Sequence, residues 1–232
     1  MKYSSPLIRG RLIKRYKRFL ADVELDSGEC LTAHVANPGA MTGLAEPGME
    51  VWLSKSDNPK RKLAYSWELV RVGRQLVGIN AGLPNRIVEE ALGNGTIKEL
   101  ADYPEIRREV AYGTNSRVDF VLSGKEGKAH YVEVKNVTLK RGKFAAFPDS
   151  VTARGTKHLV ELAKLARAGT PASMLYVVPR RDCDAFTVAG DIDPAYAAAF
   201  TEARAAGVGI LCYVCAVRTT SIRLETPLRI AI

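Results

Sequence analysis

The chain has 232 residues, 47% of them hydrophobic and 25% charged, with 34 Lys and Arg against 25 Asp and Glu. That length buries a substantial core without disulfide or metal staples, as one large or two small domains. No apolar run approaches the 18 residues of a membrane span, and there is no internal repeat or low-complexity tract. The net charge of +9 favours polyanionic partners without saying which. The N-terminus is rich in Arg and Lys but lacks a continuous apolar core, so it does not read as a secretory signal. Four cysteines are few for this size, and Cys212 and Cys215 sit in an apolar run where positions i and i+3 face opposite sides of a strand. They read as buried thiols of a cytoplasmic protein rather than as metal ligands.

Residues 1–82 are expected to form an all-β domain. Leu7 to Lys14, Arg18 to Leu25 and Glu29 to Val35 read as consecutive strands, with Asp26-Ser27-Gly28 as the turn between the last two. Phe19, Ala21, Val23 and Leu25 fall on one face by alternation, as do Leu31, Ala33 and Val35. Glu50–Ser54, Trp67–Val72 and Gln75–Ile79 add short strands. The count fits an OB-like barrel, although an SH3-like barrel leaves a similar trace. Two basic clusters mark this domain: Arg9, Arg11, Lys14, Arg15, Lys17 and Arg18 around Tyr16 and Phe19, and Lys60-Arg61-Lys62 after a turn at Asn58-Pro59. Cations interleaved with aromatics suit phosphate contact and base stacking, though a solvated strand face has the same composition.

From Leu83 the hydrophobic period changes, and residues 83–232 are expected to form a second, α/β domain. Asn85 can cap a helix with Ile87, Val88, Ala91 and Leu92 as its apolar stripe and Glu89 and Glu90 beside it. A short helical piece at Ile97–Leu100 and a strand at Ile106–Tyr112 follow. Ser116 to Val137 reads as a β-hairpin. Val118, Phe120 and Leu122 share one face of its first strand, with Asp119 on the other; Glu133 and Lys135 share a face of its second strand. A loop symmetric about Glu126 sets Asp119 opposite Glu133, where two like charges repel unless a cation joins them. Hard Mg²⁺ takes one or two carboxylates and keeps several waters, so Asp119 and Glu133 are candidate metal ligands with Lys135 beside them. Acids and lysines on a solvated strand face are common, but the apolar flanks here mark interior strands.

Further on, a helix is expected from Val151 or Gly155 to Ala168, with Arg154, His158 and Glu161 together on one face. Ser173–Val178 is an apolar strand, and a strand–helix–strand crossover of this length implies parallel pairing. Asp193-Pro194 opens an Ala-rich helix ending at Gly207. Val208–Val217 is a further strand, and Ile222–Leu224 with Leu228–Ile232 closes the chain as a hairpin. The result is a mixed sheet covered on both faces.

These residues resemble the PD-(D/E)xK nuclease core, and more closely the sugar fermentation stimulation protein A family. RYKRFLADV (15–23), NPGAMTG (37–43), SRVDF (116–120), EVKNVTL (133–139) and FPDSVTARGTKHL (147–159) are similar to its motifs. The resemblance implies an OB-like domain followed by a restriction-endonuclease-like domain. It also implies DNA binding, linked to regulation of maltose and sugar utilisation. It assigns Asp119 and Glu133 as metal-binding acids for Mg²⁺ or Mn²⁺, and Lys135 as the catalytic lysine. It places an early-helix acid at Glu90, with Glu89 the other option, and Arg154 and His158 on a helix facing the acids. Asp119 follows Val118 where the superfamily name has Pro.

The expected function is therefore largely non-sequence-specific DNA binding, with a Mg²⁺-dependent endonuclease as the alternative. RNA or an acidic protein as partner of the barrel is a third option. The sequence leaves open strand preference and oligomeric state, a homodimer included. No helix-turn-helix is evident, so sequence-specific major-groove readout is not expected.

Overall fold

The computed structural model describes residues 1–113, 116–124 and 127–231, the side chain of Ser116 excepted. The loop centre at Glu126 and the terminal Ile232 therefore lie outside the described residues. Strands β1 (Ile8–Tyr16), β2 (Leu20–Leu25), β3 (Cys30–His34), β4 (Glu50–Lys55), β5 (Tyr65–Val72) and β6 (Gln75–Gly78) form one sheet in the order β3-β2-β1-β4-β5-β6. A parallel bridge from His34 of β3 to Ser66 of β5 closes five of these strands into a barrel, the OB arrangement. Alternation drives it: Ala21, Val23, Leu25, Ala33, Val51, Leu53 and Trp67 point inward and pack as one cluster. Gly10 is required where β1 crosses β2, because a Cβ there would lie 2.5 Å from the Glu24 carbonyl oxygen. Phe19 departs from the expected face. It precedes β2, follows a left-handed turn at Lys17 and Arg18, and is 45% exposed.

The second domain begins at α1 (Pro84–Gly93). Its main sheet runs β15-β14-β12-β9-β8-β7, built from β7 (Glu105–Tyr112), β8 (Ser116–Ser123), β9 (Ala129–Asn136), β12 (Ala172–Val178), β14 (Gly209–Arg218) and β15 (Ser221–Pro227). β9, β12 and β14 are parallel, the pairing that the crossover through α2 (Ala153–Arg167) requires. Every residue of β12 is buried, which is why it reads as an unbroken apolar run. One face packs Val121, Met174 and Tyr176 against Leu159 and Leu162 of α2 and Tyr196 and Phe200 of α3 (Pro194–Ala205). The other face packs Phe120, Leu122, Val132 and Val134 against Ile87, Val88 and Ala91 of α1. Cys212 and Cys215 fall in these two opposite clusters and are free thiols.

Three details differ from the sequence reading. Val118 packs with Val121 rather than with Phe120 and Leu122; the β7–β8 ladder skips the pair Glu109 and Asp119, where Glu109 has a φ of 50°. The chain end is not a hairpin with Ile222–Leu224. β15 pairs with β14, and β16 (Arg229–Ile230) joins β13 (Ala185–Val188) in a small sheet ordered β10-β11-β13-β16, with β10 (Leu139–Arg141) and β11 (Phe144–Phe147). Asn85 does not cap α1: the cap position is Leu83, and no side chain serves it.

Candidate functional site

Odd-numbered positions of β9 face α2, and two of them are charged. Glu133 is 2% exposed, and its Oε1 accepts from Lys135 Nζ at 2.5 Å and from His158 Nδ1 of α2. Lys135 Nζ also lies 3.4 Å from His158 Nδ1. Arg154, one turn earlier on α2, donates from Nε to His158 Nε2 at 3.4 Å. The tautomer with its proton on Nδ1 meets both neighbours of His158, donating to Glu133 and accepting from Arg154. α2 is held at this angle by Thr152, whose hydroxyl accepts from Gly155 N at 3.1 Å. Burial alone would raise the Glu133 carboxyl, but the His158 hydrogen bond and the Lys135 charge outweigh it and hold it below its ordinary range. The other oxygen, Oε2, is buried with no partner.

The hairpin register runs Phe120↔Val132 to Ser123↔Ala129, which is the register that sets Asp119 across from Glu133. Asp119 ends that ladder. Its Oδ2 accepts from Val134 N at 2.7 Å and its Oδ1 from Asn85 Nδ2 at 2.8 Å. Burial and then the Glu133 charge push the Asp119 carboxyl up, against the pull of Lys135. One buried site thus holds two carboxylates displaced in opposite directions. The Tyr112 hydroxyl, also buried and without a hydrogen bond, completes the surroundings. Burial first, then the charges of Glu133, Glu161 and Asp119, push it well above the ordinary phenol value.

The remaining predicted residues are placed as follows. Glu90 is not among this group: its Oε2 lies 2.8 Å from the Met1 ammonium, and α1 packs on the face of the sheet opposite α2. Glu89 pairs with Arg108 at 2.9 Å. The α1 residue that reaches the acids is Asn85, one turn earlier than either glutamate. On the barrel, several expected nucleic-acid contacts are already engaged. Arg9 binds Asp26 at 2.6 Å, and Arg11 donates to the Gly48 carbonyl. Arg15 donates to the carbonyls of Arg18, Asn37, Gly39 and Ala40. Arg61 donates to Ser66 Oγ at 3.0 Å. Lys17, Arg18, Lys60 and Lys62 are exposed. A strand-by-strand reading could not find Arg15's role, because three of its four partners lie on a loop more than 20 residues away.

Among the described residues no three His, Cys, Asp or Glu side chains converge as a ready-made metal cage. The donors that do meet are two carboxylates, one of them with an unpartnered buried oxygen. That set fits a hard divalent cation which keeps most of its water, and not a soft or tightly caged one.

A family model described as the SfsA N-terminal OB domain matches residues 13–79, and one described as the sugar fermentation stimulation protein RE domain matches residues 82–221. The sugar fermentation stimulation protein homolog of Paramagnetospirillum magneticum is 55% identical over 98% of this chain and 97% of its own. That of Maricaulis maris is 53% identical over 99% of this chain and 98% of its own. Among solved structures, Pyrococcus furiosus SfsA in complex with Ca²⁺ superposes with a TM-score of 0.91 at 26% identity, covering 100% of this chain and 98% of that one. The chain belongs to the sugar fermentation stimulation protein family, with the family's OB domain at its start and its RE domain after it.

Proposed function

We propose that this protein binds DNA and hydrolyses its phosphodiester bonds with a divalent cation, at Asp119, Glu133 and Lys135. The observation that carries this reading is the Glu133 Oε2 atom, fully buried and unpartnered near the half-buried carboxylate of Asp119. A buried carboxylate oxygen with no donor costs stability unless a ligand meets it. Glu133 through Oε2 and Asp119 through its remaining lone pairs would hold Mg²⁺ or Mn²⁺, with water completing the shell. The Ca²⁺ complex of the Pyrococcus furiosus relative supports a divalent ion in this family. Such an ion supplies Lewis-acid polarisation of a phosphoryl oxygen and a more acidic water. Lys135 puts a positive charge within reach of the developing phosphorane charge, and exposed Arg154 can meet a phosphate oxygen. His158 is buried and positions Glu133 and Arg154 without touching substrate.

A second reading, DNA binding without cleavage, has its own support. Lys135 and His158 both spend their contacts on Glu133 Oε1, so the charge is already balanced without a metal. Supercoiled plasmid incubated with the protein and Mg²⁺ or Mn²⁺ separates the two. The first reading expects nicking that disappears with chelator and in Asp119→Ala. Retention on DNA with no plasmid nicking and no cutting of single-stranded DNA under either metal leaves only the second.

A further inference from the structure

A cleft of about 350 Å³ lies between the barrel and the second domain. Its barrel wall is Arg18 and the loop 37–39; its other wall runs from Asn136 along 146–152. The lining of the cleft adjoins residues of the acidic site along the chain at both ends of that wall. Asn136 follows Lys135 on β9, and Thr152, the cap of α2, precedes Arg154 by two residues. Its lining mixes a cation, Arg18, with apolar surface. Val151 is 76% exposed there. The acid in the lining, Asp149, is already engaged by the Met41 N–H and by the charge of Arg15.

The barrel rim is held in a costly backbone shape. Lys17, Arg18 and Met41 have φ of 46°, 62° and 54°, a region that non-glycine residues enter rarely. Gly39 is required because a Cβ there would strike the Asp149 carboxylate. Arg15 locks the two rim loops together by donating to the Arg18, Asn37 and Gly39 carbonyls. Strain of this kind persists where the surrounding structure over-determines it, commonly at ligand sites.

The geometry points to this interdomain cleft as the seat of a single DNA strand, so that the substrate is single-stranded DNA, or a single-stranded stretch of a longer DNA, rather than intact duplex. This rests on the reading of the chain as a DNA-binding phosphodiesterase. The volume is at the small end of ligand pockets, which begin at ~300 Å³, room on the order of one nucleotide. A duplex, whose major groove alone is ~12 Å wide, does not enter it. Arg18 would meet a backbone phosphate, while Val151 offers a face for an unstacked base. The strand would then lead directly to Lys135 and Glu133.

The test is fluorescence anisotropy in chelator, so that nothing is cut, with a labelled oligodeoxynucleotide alone and annealed to its complement. The single strand should bind at least tenfold tighter. Arg18→Glu and Val151→Asp should each weaken it tenfold or more while changing duplex binding by under threefold. Arg204→Glu, the same charge change on the outer face of α3, should leave the ratio of the two affinities unchanged. Melting curves identify a variant that fails to fold, and Val151→Asp, at a largely exposed position, carries the test if Arg18→Glu does so. Equal affinity for strand and duplex, or cleft variants that weaken both alike, overturns the inference. Those results leave DNA cleavage as a separate readout, whereas strand binding in the cleft with no cutting of plasmid or of single-stranded DNA under Mg²⁺ or Mn²⁺ ends the nuclease reading and keeps the cleft.

Discussion

Two buried glutamates, one in each domain, are handled in opposite ways. Glu68 in the barrel is 5% exposed, and each of its oxygens has a neutral donor: Ser54 Oγ at 2.7 Å and Asn80 Nδ2 at 2.8 Å. Burial pushes its carboxyl up, since nothing cationic touches it. Glu133 in the second domain is equally buried, but its donors are cationic or ionisable, they crowd one oxygen, and the other oxygen is bare. Neutral donors on both oxygens make Glu68 a complete internal fastening. The lopsided arrangement at Glu133 costs stability by itself, and it makes physical sense only if something arrives to use the open atom.

Removing Lys135 tests that difference most sharply. Under the proposed chemistry, Lys135→Ala should lower metal-dependent plasmid nicking by about 10²–10³-fold, the usual effect of losing one donor to a developing oxyanion. The rise in melting temperature caused by Mg²⁺ or Mn²⁺ should remain, because a ligand of the folded state still stabilises it by mass action. Losing the metal response together with cleavage would make Lys135 part of the metal's binding and not of the chemistry.

The glutamates themselves come next. Glu133→Gln breaks a buried charged pair and leaves Lys135 and His158 without their anion, at a cost of about 3 kcal/mol, roughly 6–12 °C in melting temperature for a chain of this size. Glu68→Gln should move the melting temperature by no more than a few degrees. The new amide can accept from Asn80 and donate to a rotated Ser54 hydroxyl, so no group is orphaned. Equal losses at the two positions would show that both acids merely fasten the fold.

What the sequence revealed follows the reach of its signals. Alternation and turn chemistry act over a few residues, so the hairpin register, the burial of β12 and the two helices α2 and α3 were legible from them. The direction of Asn85 was not. An Asn before an apolar helical stripe is ordinarily a cap, and only the approach of β8 to the first turn of α1 diverts its amide to Asp119. Glu90 was misplaced for a related reason: helical spacing says which residues share a face, not which sheet face the helix covers. The small sheet of β10, β11, β13 and β16 was invisible because its strands have two to four residues, too short for a period to show.

The opposite pKa directions predict opposite pH behaviour. Glu133 is depressed in the folded state, so its contribution is complete above the ordinary value of 4.5 and is lost as pH falls through the depressed folded value. Asp119 and Glu68 are raised, so each costs stability at neutral pH. That cost is relieved as pH falls from the raised folded values toward the ordinary 3.8 and 4.5. Urea midpoints measured from neutral pH down to about pH 3 should therefore lose part of a mild-acid gain in Glu68→Gln, and part of the later acid loss in Glu133→Gln. Superimposable profiles for the two variants would remove the electrostatic contrast between the sites.

The smallest effects expected concern two arginines of the barrel that look alike in the sequence. Arg9 is a surface cation, 54% exposed in its pair with Asp26, which is itself 52% exposed. Solvent screens that pair, and Arg9→Ala should leave the melting temperature unchanged within error. Arg15 donates to four backbone carbonyls, one in the turn at Arg18 and three in the loop 37–40. Arg15→Ala strips those carbonyls of a charged donor, for a loss of about 2 kcal/mol, roughly 4–8 °C. It also frees both rim loops of the interdomain cleft, so single-strand affinity should fall although Arg15 meets no phosphate. Arg15→Lys discriminates the causes. It keeps the charge but not the planar fork, so it should restore little of either loss if geometry is what Arg15 supplies, and most of the DNA affinity if charge is.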